Sequence, residues 1–200
     1  MKLTTMTQVS VDGVMQANGG PSWLDPGFDR GGWARGLFDT EALAYVEQVY
    51  QRADAFLFGR RTFELFAEYW GVMPPGSGSI ADALNTTPKY VASNTLTDPQ
   101  WADTTVLSGD LAAALGELRT TLAGELQVHG SGVLVRWLLE HDLVDEVILM
   151  VCPVVVGRGT RLFPDDGPDL ALDLVDSRAF TRGTTVQVYR PAGKPTYAVD

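Results

Sequence analysis

Short apolar runs alternate with longer segments of helical periodicity along most of the chain. Residues 3 to 11 mix β-branched and apolar side chains and run into Asp12-Gly13, the pattern of a strand followed by a turn. Ala55 to Phe58 is too short and too apolar for anything but a buried strand. Further strands are expected at Lys89 to Ser93, Leu126 to His129, Glu146 to Val156 with an interruption at Pro153, Leu170 to Val175, and Thr184 to Tyr189. Between them lie helical faces. One opens at Asp39-Thr40-Glu41, with Asp39 as N-cap and Leu43, Val46, Val49 and Tyr50 on one side. The second follows Gly59 and carries Phe63, Phe66 and Trp70, and the third is marked by Leu111, Leu115, Leu118 and Leu122. The last begins after Gly132 with Val133, Leu134, Trp137 and Leu138. Strands apolar on both faces and alternating with helices predict an α/β protein whose mostly parallel sheet is covered on two sides. The final two strands, with no helix between them, predict an antiparallel hairpin at one edge.

Two stretches break the pattern. Residues 71 to 79 form a breaker-rich loop between segments too small to fold alone. The glycine-rich stretch from Asn18 to Gly36, with Trp23 and Trp33, is longer than most connections, and loops of that length are usually functional.

Composition narrows the function classes. A chain of 200 residues, 45% apolar, closes one sizeable core, so a single domain over 1–200 is expected. The single cysteine, Cys152, sits in an apolar run and reads as a small buried hydrophobe. A formal charge of −10, with fifteen basic residues scattered among twenty-five acids, argues against nucleic acid. No signal-peptide layout and no membrane-length apolar run is present, so a cytoplasmic protein is expected. His129 and His141 lack further ligands at metal spacing and read as structural, and no metal is expected.

The chemistry concentrates at two junctions where a buried strand ends in small residues and a helix starts at once. Unpaired backbone N–H groups and the positive end of a helix dipole then point at one spot, an arrangement suited to phosphate. The first junction is Gly59-Arg60-Arg61-Thr62, where guanidinium groups and a hydroxyl add to the backbone donors. The second is Gly130-Ser131-Gly132, where missing side chains let a ligand approach the backbone. In a parallel sheet such junctions gather at the carboxyl ends of the strands. Neither matches the Rossmann or P-loop fingerprint.

The runs Val11-Asp12-Gly13-Val14-Met15 and Leu57-Phe58-Gly59-Arg60-Arg61-Thr62-Phe63-Glu64, with the segment from Val128 to Leu139, resemble the dihydrofolate reductase-like superfamily. The stretch Leu143-Val144-Asp145-Glu146 to Pro153, followed by Gly157-Arg158-Gly159 and Leu162-Phe163, more specifically resembles the riboflavin-biosynthesis reductase C-terminal domain and its stand-alone relatives. The resemblance implies a three-layer α/β/α fold around a sheet of about eight strands, with NADPH across the carboxyl ends. It implies that Gly59, Arg60, Arg61 and Thr62 hold cofactor phosphates, an arginine taking the adenosine 2′-phosphate. By the same resemblance Ser93 and Asn94 border the ribose phosphate, and Gly130, Ser131, Gly132, Val133 and Leu134 form the turn under the pyrophosphate, with a cis peptide at Gly130-Ser131. Gln8, Val14 and Met15 match positions near the nicotinamide, and residues 18 to 36 match the mobile active-site loop.

Folate reductases place an acid at the start of the first helix, and Asp39 and Glu41 stand near that position as the candidate catalytic groups. They also place an arginine after the glycine turn, where this chain has Val133, and a threonine where it is apolar near Leu149. Trp23, Phe66 and Trp70 fall where the family borders its substrate cleft, and aromatics there favour a flat heterocycle. The expected activity is hydride transfer from NADPH to a small heteroaromatic substrate such as a pteridine or a ribosylaminopyrimidine, as in 5-amino-6-(5-phosphoribosylamino)uracil reductase. Arg35, Arg158 and Arg161 are the candidate partners for a phosphoribosyl group. The other readings are a non-catalytic NADPH-binding protein and a dihydrofolate reductase in the strict sense. A homodimer is expected from the resemblance.

Overall fold

Strand β2 (Ala55–Gly59) is buried along its whole length, and its alternating side chains divide the core in two. Phe56 and Phe58 point to one side of the sheet, where they pack with residues of α1 (Thr40–Gln51), α2 (Arg60–Tyr69) and α3 (Ser79–Thr86). Ala55 and Leu57 point to the other, among residues of α4 (Leu111–Thr121) and α5 (Gly132–Glu140). The period of two along a strand thus makes three layers from one continuous sheet. The computed structural model describes residues 1–20, 25, 27–167 and 169–198.

The other strands are β1 (Lys2–Ser10), β3 (Lys89–Ala92), β4 (Thr104–Leu107), β5 (Glu125–His129), β6 (Glu146–Cys152), β7 (Leu172–Ala179) and β8 (Thr185–Pro191). The eight-stranded sheet has the order β4-β3-β2-β5-β1-β6-β8-β7. All pairings from β4 to β6 are parallel, while β8 runs antiparallel to β6 and to β7. The carboxyl ends of β1, β2, β3 and β5 therefore share one rim.

Several expectations shift. Strand β4 shows no clear apolar signal because it lies at an edge with no fully buried residue. Helix α3, only eight residues long, follows a Gly/Pro-rich loop that masks its start. Strand β6 stops at Cys152, before Pro153, whose missing N–H ends the ladder. Strand β7 begins at Leu172 and extends to Ala179 through polar, exposed residues. Leu43 lies 48% exposed, and Ala42 takes its expected place in the core face of α1. Among the described residues there is no cis peptide bond, so the one expected at Gly130-Ser131 is absent. The corner turns instead through left-handed backbone, with φ +73° at Gly130 and +58° at Ser131.

Candidate functional site

The two glycine corners meet. A Cβ built on Gly59 would lie 2.7 Å from Ser131 Cβ, with Ser131 Oγ closer still. Ser131 thus occupies the space that Gly59 leaves empty, and no larger residue fits at 59. A Cβ on Gly130 would come within 3.7 Å of the Met15 methyl and 3.9 Å of the Thr62 side chain. At Gly132 it would meet Met15 Sδ at 2.8 Å and Arg136 Nη1 at 3.0 Å. Residues more than seventy positions apart are gathered because β2 and β5 are neighbouring parallel strands ending at the same rim.

The helices that leave these corners are open at their starts. Aspartates cap α1 and α4: Ala42 N–H donates to Asp39 Oδ1 (2.9 Å) and Ala113 N–H to Asp110 Oδ1 (3.0 Å). Helix α2 begins from Gly59 and α5 from Ser131, neither with a side-chain cap. Helix α3 also lacks one, but carries Asp82 in its first turn. The first N–H groups of α2 and α5 thus face the shared corner with the positive ends of their dipoles. In the first turn of α5, Val133 is 71% exposed, while the Leu134 side chain packs into the core.

Polar side chains continue the corner toward β3. Arg60 donates through Nε to Glu64 Oε1 (2.7 Å) and through Nη1 to Thr95 Oγ1 (2.6 Å). Ser93 Oγ lies 3.5 Å from the same Thr95 hydroxyl, and Asn94 Oδ1 accepts from Gly109 N–H (2.7 Å). Arg61 pairs with Asp25 at 3.3 Å. Thr95 carries no motif of its own in the sequence; its place two residues past Ser93, just beyond the end of β3, is the one local signal for it.

Toward β1, Val14 is fully buried and Met15 N–H donates to Thr160 O (2.9 Å). Gln8 opens into a different feature, a pocket of about 310 Å³. Its floor and walls come from Phe38, Leu43 and Val46 around α1, Ile80 of α3, and Ala34 and Arg35 of the long loop. Leu43 is exposed because it lines this pocket. Gln8 and Arg35 supply its polar side chains, and Arg35 Nε donates to Gly19 O (3.1 Å). A larger cleft of about 500 Å³ is lined by Arg136, Arg161, Asp165 and Asp166, with Gly159, Thr160 and Pro164. Its mixed charges suit a flat ring less well than the apolar pocket does. Of the three arginines considered for an anionic group, Arg158 pairs with Asp29, Arg161 donates to Asp12 O (2.9 Å), and Arg35 alone lines the apolar pocket.

Phe66 and Trp70 are not among the residues lining that pocket; both are half-buried against the core, Phe66 with its ring 5.4 Å from Phe58. Trp23 lies outside the described residues. Asp39 is occupied as a cap and also accepts from Arg182 N–H (3.1 Å). The Ala42 amide, followed by Arg182 and Thr181, holds its carboxyl below the usual aspartate range, the wrong direction for a proton donor at neutral pH. Glu41 pairs with Arg178 at 3.0 Å on the surface. Neither carboxylate lines the pocket. His129 is buried, stacked on Tyr50 at 4.0 Å, and burial pushes its pKa down to about 3. Burial likewise raises the Cys152 thiol to about 11, which makes it unreactive.

A parallel-sheet α/β/α fold with two converging helix starts and an antiparallel edge hairpin defines the dihydrofolate reductase-like class. Residues 1–186 match the model of the RibD C-terminal domain, and the chain belongs to that family. It is 25% identical to the uncharacterized proteins YyaP and YwjB of Bacillus subtilis, over 90% of this chain and 90% and 92% of theirs. Among solved structures, a putative riboflavin biosynthesis protein from Shewanella sp. PV-4 superimposes with a TM-score of 0.69 at 24% identity, covering 96% of this chain and 99% of that one. A pyrimidine reductase-like protein from Corynebacterium diphtheriae gives 0.65 at 15% identity, covering 95% and 91%. Acinetobacter baumannii RibD gives 0.63 at 14%, covering 96% of this chain and 58% of that one. No helix among the described residues is long and apolar enough to cross a membrane.

Proposed function

We propose that this protein is an NADPH-dependent reductase that transfers hydride to a small heteroaromatic ring of the pyrimidine or pteridine kind. The convergence of Gly59 and Ser131 carries the reading, because it turns two separate helix starts into one anion cradle. The cradle fits a pyrophosphate: backbone donors come from both uncapped helices, Thr62 adds a hydroxyl, and glycines keep the approach open. In a chain of net charge −10, such local donors are what hold an anion.

Arg60, with the Ser93 and Thr95 hydroxyls, would take the adenosine 2′-phosphate, and Arg61 and Asn94 would flank it. Met15, beside the corner, would bound the nicotinamide, with the fully buried Val14 packing behind it against Phe28 and Val156. Bound NADPH supplies the hydride. The chain supplies orientation: Phe38, Leu43, Val46 and Ile80 sandwich the ring and exclude water, while Gln8 and Arg35 fix its edge. Among the described lining residues no carboxylate or imidazole is present, so in this reading the proton comes from solvent at the open side of the pocket, where Leu43 is 48% exposed, while the apolar walls keep water off the ring faces. Membership of the RibD C-terminal domain family and the likeness to the pyrimidine reductase-like protein of Corynebacterium diphtheriae support a reductase reading.

The test is to mix the protein with NADPH and candidate pyrimidines, pterins and quinones and follow the reduced-nicotinamide absorbance. Oxidation on at least one ring substrate, lost when Arg60 and Arg61 are both replaced by alanine, is the expected result. Tight NADPH binding with no turnover would make this a non-catalytic binding protein, and absence of NADPH binding would overturn the reading.

The reading includes a cytoplasmic homodimer. Strand β7 offers an unpaired outer edge with Leu174 and Val175 exposed at 57% and 46%. Sedimentation velocity is expected to show a dimer, which Leu174→Lys with Val175→Lys dissociates; a monomeric wild-type protein would contradict it.

A further inference from the structure

We infer that Asp12 is a positioning residue whose carboxylate locks two segments together, residues 10–15 and 154–162, and so seats Met15 against the glycine corner. Its two oxygens serve both segments at once. Oδ1 accepts from the Ser10 hydroxyl (2.7 Å) and from Val156 N–H (2.9 Å), and Oδ2 accepts from Gly157 N–H (2.7 Å). Ser10 Oγ in turn accepts from Val14 N–H (2.9 Å), so the carboxylate reaches the residue before Met15 through one hydroxyl relay. Around this centre the segments are zipped by Val11 N–H to Val154 O, Met15 N–H to Thr160 O and Leu162 N–H to Gly13 O, at 2.9, 2.9 and 3.0 Å.

The chemistry requires a charged carboxylate at this position. Three donors converge on two oxygens, and an amide of the same size can accept at only one of its two terminal atoms. The Ser10 hydroxyl, followed by the Val156 and Gly157 amides, holds the carboxyl at about 2, so it stays ionised throughout the neutral range. Gly157 has φ +82°, which lets the turn present its N–H to the acid. Arg161 closes the ring by donating Nε to the Asp12 carbonyl (2.9 Å). What the lock controls is Met15, whose sulfur and methyl lie against Gly132 and Gly130.

The experiment compares Asp12→Asn and Ser10→Ala with wild type by residue-resolved amide hydrogen exchange without ligand. Asp12→Asn is expected to speed exchange at Val14, Val156 and Gly157 together, by about tenfold, with β2 and β5 unchanged. Ser10→Ala is expected to speed Val14 while leaving Val156 and Gly157 as in wild type. A second arm measures affinity for NADPH and for adenosine 2′,5′-bisphosphate, the part without nicotinamide. Asp12→Asn should weaken NADPH about tenfold and leave the bisphosphate unchanged, a split that general loss of folding would not give. Uniform acceleration across the chain, unchanged exchange at Val14, or equal weakening of both ligands would overturn the inference. The second arm rests on the proposed NADPH site. If wild type binds neither nucleotide, that reading fails while the exchange arm still decides whether the lock exists.

Discussion

Ser131 carries the tightest local constraint in the site. Its backbone sits at φ 58°, ψ 85°, a region that costs a non-glycine residue about 1–3 kcal/mol, and its side chain fills the void beside Gly59. Gly59→Ala therefore places a methyl against a residue with no freedom to retreat. A stability loss of about 1–3 kcal/mol in urea denaturation is expected. Gly132→Ala is crowded by two flexible side chains, Met15 and Arg136, and meets backbone at ordinary contact distance, 3.9 Å from Arg161 O, so its loss should be the smaller of the two. The reverse order would contradict this packing.

His129 gives a pH signature at the same scale. Its folded pKa of about 3 lies below the ordinary 6.5, so between those values the unfolded chain binds a proton that the folded chain does not. Its stabilising contribution is complete above pH 6.5 and is lost as the pH falls toward 3, by at most about 1.4 kcal/mol per pH unit. Thermal melts from pH 7 to about 4 should show this slope. His129→Phe, which keeps a ring against Tyr50 and Phe56, should flatten it; a slope that persists would mean other groups cause it.

Among elements, legibility followed burial. Strand β2 is buried at every position and its apolar run announces it, while β5, equally buried, is marked by Leu126 and Val128 alternating with Glu125, Gln127 and His129. Helix α1 has a helical stripe and an aspartate cap, and the structure uses both, apart from the outward Leu43. Strand β4 and helix α3 went unread because an edge strand and a short helix need little apolar surface, and their order comes from neighbours. Lys89 shows how: fully buried, it donates to Leu84 O (2.9 Å) and Thr87 O (2.8 Å) at the end of α3, so a lysine that reads as surface-exposed in the sequence ties α3 to the start of β3. For α1, Asp39→Ala removes the acceptor of two backbone N–H groups, Ala42 and Arg182. A loss of about 1–2 kcal/mol in chemical denaturation is expected; an unchanged midpoint would show that the cap contributes nothing.

For the whole molecule, the two corners were legible as separate phosphate-like turns, because strand-glycine-helix junctions are local. Their meeting at Gly59 and Ser131 was an inference from sheet parallelism, and the structure shows that contact. The apolar pocket was less legible. It is assembled from β1, α1, α3 and the loop through Ala34 and Arg35, residues that converge only through tertiary packing. Periodicity assigned Leu43 to the core, and aromatic content drew attention to Phe66 and Trp70, which pack against the core, Phe66 beside Phe58.

The central claim is that both corners grip one dinucleotide. Amide chemical-shift mapping of isotopically labelled protein during NADPH titration tests it most directly. Residues 59–62 and 130–134 are expected to shift together and to saturate with a single dissociation constant. Shifts confined to one corner, or two corners saturating with different constants, would contradict it.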